Sequence, residues 1–68
     1  MKVIKNSDEV LTCEINHEEI LMLMAGMREI CAGVYLPDFD LRMGFSKERV
    51  GSLVMNIRNI IDEQGIDE

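Results

Sequence analysis

Asn16-His17-Glu18-Glu19 constrains this chain more than any other four residues. Asn16 has the short acceptor side chain of an N-cap, and Glu19, three residues on, can reach back to the cap amide, which is a capping-box pattern. Ile15 before the cap and Ile20 after it form a hydrophobic staple, and Glu18 and Glu19 sit in the first turn, where the helix dipole favours negative charge. Ile20, Leu23, Met24, Met27, Ile30, Cys31 and Val34 then recur at helical spacing, and Gly33 supplies a stop, so the spacing predicts a helix over about 17–33. Ser46 repeats the signal as a second N-cap, with Phe45 stapled to Val50. Val50, Leu53, Val54, Ile57, Ile60 and Ile61 make one apolar face that predicts a helix over about 47–63, closed by Gly65. Residues 64–68 read as an acidic tail that frays.

Other stretches carry a period of two. Residues 1–5 read as a short edge strand, followed by the turn-forming run Asn6-Ser7-Asp8-Glu9. Beyond it Leu11, Cys13 and Ile15 alternate with Val10, Thr12 and Glu14, the clearest strand pattern in the chain. Pro37 keeps Leu36 extended, and Phe39, Leu41 and Met43 alternate with Asp38, Asp40 and Arg42, which predicts an edge strand or extended link. The expected fold is therefore α+β: one domain, 1–68, with an N-terminal β-hairpin or small antiparallel sheet packed on two helices.

A chain of 68 residues buries a smaller share of its surface than a larger domain and usually needs a disulfide, a metal or a partner chain. Its two cysteines, Cys13 and Cys31, lie among apolar neighbours and read as small buried hydrophobes; with no export signal in view, the cytosol is the expected compartment. His17 is the single histidine and no CxxC or HxxxH spacing exists, so no metal or other cofactor is expected. A partner chain is left. Apolar residues make up 47% of the sequence, six of them methionine, which is more than one small core hides, and a homodimer is the expected remedy.

The net charge of −6 is uneven: −3 over 1–37, +1 over 38–60 and −4 over 61–68. Such a chain repels phosphate backbones and suits a basic partner. No stretch is long or apolar enough to span a membrane. Catalysis finds little support. His17 reads as a solvated first-turn residue without a nucleophile placed beside it, the glycines are scattered rather than gathered in a phosphate loop, and no small-molecule site is evident.

Two surfaces stand out. Leu21, Met22 and Met55 fall off the main apolar faces, and Met22 shares a stripe with Ala25 and Gly26; together Leu21, Met22, Ala25, Gly26 and Met55 form a candidate protein interface. Gly26 is read in two ways, as a site of close backbone approach or as a tolerated helix-interior glycine. The alternative is a helix-turn-helix over 39–54, with Gly44 as the turn glycine and Lys47, Arg49 and Ser52 as DNA contacts. Asp40 at the helix contact, the alternation through Met43 and the near-neutral second helix count against it.

Phe39, Arg42, Gly44, Ser46 and Glu48 spell FxxRxGxSxE ahead of an apolar-spaced helix. With the strand and capped helix before it, residues 10–61 resemble small uncharacterised bacterial proteins whose second half carries an FxxRxG-S-EE pattern, here with Lys47 at one acidic position. The resemblance implies a bacterial or phage origin and no activity. The functional expectation is a non-enzymatic, self-associating intracellular interaction protein, of the immunity, antitoxin or regulatory kind.

Overall fold

The computed structural model describes residues 1–33 and 35–67; Val34, expected on the first helix face, lies outside the described residues, as does Glu68. The fold is α+β: strands β1 (Lys2–Ser7) and β2 (Val10–Glu14), helix α1 (His17–Arg28) continued by a π-helical turn (Glu29–Gly33), a short helix α2 (Phe39–Met43) and the long helix α3 (Lys47–Glu63). Both strong helix signals match their expected bounds. Glu19 N–H donates to Asn16 Oδ1 at 2.7 Å and Asn16 N–H donates to Glu19 Oε1 at 3.0 Å, completing the capping box. Arg49 N–H donates to Ser46 Oγ at 3.2 Å, and Phe45 and Val50 line one hollow.

β1 and β2 pair antiparallel with Val3 opposite Cys13 and Asn6 opposite Leu11, so the alternation along β2 holds. The turn is shorter than the run of turn formers suggested. Asn6 and Ser7 pair with Leu11 and Val10, leaving Asp8-Glu9 as a two-residue loop with φ of 49° and 68°. Positive φ at both loop positions is what the right-handed twist of a hairpin asks of a two-residue connection. The hairpin meets the rest of the chain at the start of α1, where Met1, Lys2, Glu14, Ile15, Asn16 and Glu19 line one hollow. Every strand residue but Ser7 is exposed, Cys13 included, so the expectation of two buried cysteines is corrected: Cys31 is half-buried and Cys13 faces solvent on the hairpin.

Phe39–Met43 is helical, which corrects the reading of this segment as a strand or extended link. Phe39 and Met43 are half-buried while Leu41, at 85% exposure, points away, a pattern of spacing four rather than two. Among the described residues the sheet holds β1 and β2 alone, and the backbone of this segment satisfies itself locally, with Arg42 N–H donating to the Asp38 carbonyl at 3.0 Å. Gly44, at φ of 80°, ends the helix by donating its N–H to the Asp40 carbonyl at 2.9 Å, a conformation glycine adopts without a Cβ penalty.

The layer that holds the fold together is α1 against α3. Ile20 and Met24 of α1 and Val50 of α3 are its buried side chains among the described residues. Gly65, at φ of 64°, closes α3: Ile66 N–H donates to the Ile61 carbonyl at 3.0 Å and Gly65 N–H to the Asp62 carbonyl at 3.3 Å. This Schellman arrangement brings Ile66, half-buried, to the groove lined by Leu21 and Met24, while Gln64 and Gly65 are exposed.

A side chain at Glu9 must hold a left-handed backbone, which costs about 1 kcal/mol relative to glycine. Glu9→Gly is expected to raise hairpin stability by about that amount, read as slower amide exchange at Asn6, Ser7 and Val10; unchanged or faster exchange would contradict the strain assigned to this turn.

Candidate interaction surface

The α1–α3 seam has two flanks. On one, Leu21, Met24 and Arg28 lie beside Arg58, Ile61 and Asp62, with Ile66 and Asp67 closing the end, so charge of both signs rims a shallow groove. Helical spacing puts Leu23 and Met27 of α1, and Leu53, Ile57 and Ile60 of α3, on the other flank. That flank is apolar and open: Leu23 is 42% exposed, Leu53 50% and Ile60 46%. At its N-terminal end Phe45, exposed as well, lies under the Arg49 guanidinium, 5.5 Å from ring centre to Cζ, a cation–π contact at the solvent edge.

The interface residues expected from sequence are placed in part. Leu21, Met22 and Ala25 line one open hollow on the outer side of α1, with His17, Glu18, Arg28 and Asp67 around them. Gly26 lies on the same helix, and a Cβ built on it would meet nothing within 4 Å, so among the described residues no other element approaches it closely. Met55 is 54% exposed on α3 and does not line that hollow. Leu23, Leu53 and Ile60 belong to the apolar faces read from helical spacing, yet stand about half exposed. Their sequence signal was width: the apolar arc of α3, from Leu53 and Ile60 round to Val54, spans about 120°, more than a single neighbouring helix covers.

The DNA-contact candidates Lys47, Arg49 and Ser52 are all exposed, yet they do not form one reading edge. Two residues of helix turn about 200°, so Lys47 and Arg49 project from opposite sides of α3. The guanidinium of Arg49 is also engaged with Phe45.

The electrostatics centre on Glu19. Its carboxyl is held below the ordinary value of 4.5, first by the Met1 ammonium, which donates to Oε2 at 2.5 Å, then by the Asn16 amide. His17 is exposed at the first turn of α1, and among the described residues no group of three or more His, Cys, Asp or Glu gathers to hold a metal ion. Among the described residues no helix is long and apolar enough to cross a membrane. Compared with models of protein families, with characterised proteins and with solved structures, the chain finds no match.

Two outcomes follow for these residues. The folded-state pKa of Glu19 lies below the unfolded one, so its contribution is complete above about 4.5 and lost as pH falls through the lower, folded value. Glu19→Gln is therefore expected to flatten the loss of thermal stability as pH falls below about 4.5, measured by circular dichroism; an unchanged acid slope would remove Glu19 from the account. Gly26→Ala, with open space for its methyl group, is expected to stabilise the fold by about 1 kcal/mol in urea denaturation, the helix-propensity difference between the two residues. A loss of stability would instead mean that a partner backbone packs against Gly26.

Proposed function

We propose that this chain is a non-enzymatic, intracellular interaction module that works as a homodimer and offers its acidic surface to a basic protein partner, as an immunity, antitoxin or regulatory subunit does. The supporting observation is surface area. The chain exposes 5626 Å², whereas a compact monomer of 7.8 kDa exposes about 4,400 Å². The excess of roughly 1,200 Å² is more than the roughly 800 Å² that each partner of a standard stable interface buries.

The dimensions carry the same message. A radius of gyration of 13.5 Å exceeds the about 11 Å of a compact 68-residue domain, and the molecule measures 36 × 32 × 17 Å. A slab 17 Å thick holds little more than one layer of secondary structure, while a stable domain needs two. The second layer is the partner's to supply. The net charge of −6 then favours association of the assembled protein with basic surfaces.

Sedimentation over a range of concentrations tests this reading. The expected result is twice the 7.8 kDa chain mass at micromolar concentration, with a melting temperature that rises with protein concentration. A monomer at high micromolar concentration, melting at one temperature throughout, would remove the proposal.

One observation favours a second reading: the helicity of Phe39–Met43 supplies the first helix that a helix-turn-helix requires. Duplex DNA binding that weakens steeply with salt and disappears on Lys47→Glu with Arg49→Glu would support it.

A further inference from the structure

On the open flank of α3 the residues repeat in a self-complementary order. Val50, Leu53, Ile57 and Ile60 follow the spacing of a two-heptad seam; Val50 is buried, and Leu53 and Ile60 stand about half exposed. Beside them, seven residues apart and all exposed, run Arg49, Asn56 and Glu63. Reversing a copy of α3 about Asn56 sets Arg49 against Glu63, Asn56 against Asn56, and Leu53 next to Ile60.

We propose that the occupant of this flank is a second copy of the same chain, with α3 packed antiparallel on the partner's α3 about a twofold axis near Asn56 and Ile57. The inference rests on the self-association proposed above and names the face that carries it.

Three arguments converge. The whole chain's surface in excess of a compact monomer exceeds what each chain contributes to a stable dimer, and Leu23, Leu53 and Ile60 of this flank belong to that exposed apolar surface. The exposed seam is apolar where a twofold contact needs self-complementarity, and Leu23 of α1 widens it at the edge. The flanking charges select orientation. In antiparallel packing these outer positions of the two helices face one another, so Arg49 meets Glu63 at both ends and each copy gains two opposite-charge contacts. In parallel packing they would face the positions of Val54 and Ile61, which α1 already covers in part. The opposite flank, with charge of both signs crowded along its groove, has no such apolar strip.

Charge exchange at the two ends tests the arrangement with substitutions at exposed positions. Arg49→Glu and Glu63→Arg are each expected to weaken the dimer about tenfold by sedimentation, since each sets two like-charge contacts across the axis, and the double variant is expected to recover most of the loss. Leu53→Glu should leave a monomer, whereas Val10→Glu, exposed on the hairpin, should leave the dimer intact. Intermolecular methyl contacts between Leu53 and Ile60, sought by isotope-filtered NMR on a half-labelled wild-type sample, provide a reading that does not depend on any variant folding. If the wild type is monomeric, self-association itself fails. If it is dimeric but the double variant shows no recovery and the Leu53–Ile60 contacts are missing, this face is overturned while self-association stands.

Discussion

The contact between α1 and α3 is the interaction on which everything else depends. Ile20, Met24 and Val50 are the side chains it buries. Leu23, Leu53 and Ile60, on the apolar faces of the same helices, remain about half exposed. At about 25 cal/mol per Å² of apolar surface buried, a single helix–helix seam opposes the ordering entropy of a whole chain, which is of similar size and opposite sign for any small domain. The chain compensates at its ends rather than in its middle. A complete capping box starts α1, a serine cap starts α3, and a Schellman turn returns Ile66 to the seam. These devices fix where the helices begin and end, and the last of them adds one half-buried side chain to the seam.

Most of that layer was legible in the sequence because capping is local chemistry. Asn16 with Glu19, Ser46, and Gly65 act on residues within one turn of themselves, so no knowledge of distant packing is needed to read them. Phe39–Met43 was misread because Phe39 and Met43 satisfy a period of two and a spacing of four equally well. Only Leu41 distinguishes the two, and its exposure depends on tertiary context. Strand and helix also differ in where their backbone partners lie. A helix of five residues finds them within itself, whereas a strand needs a neighbour that this topology places elsewhere.

Of the candidate surface, the sequence disclosed one side and concealed another. Leu21, Met22 and Ala25 were visible because they break the apolar periodicity, and the structure does gather them in one hollow. Leu23, Leu53 and Ile60 were hidden because they obey it. Periodicity reports that one side of a helix is apolar; it does not report how many neighbours share that side. The hairpin illustrates the same limit. Alternation marks Val10–Glu14 as a strand, yet both faces of the ribbon stay open and the turn carries strain at Asp8 and Glu9.

The helicity of Phe39–Met43 removes the objection that no first helix exists for a DNA-binding motif, but it does not supply the rest of that motif. In a helix-turn-helix the first helix packs across the second and holds it against the duplex. Here the partner packed on α3 is α1, and α2 turns its central leucine, Leu41, to solvent. The basic side chains of α3 are also divided: Lys47 lies on the side away from Arg49, and Arg49 stacks on Phe45 at the rim of the apolar flank. A phosphate-reading edge needs several cations on one side, and this helix distributes its charges along the border of an apolar strip instead. Lys47 and Arg49 near the start of α3 are separated from Arg58 near its end, a distribution of little use to a polyanion.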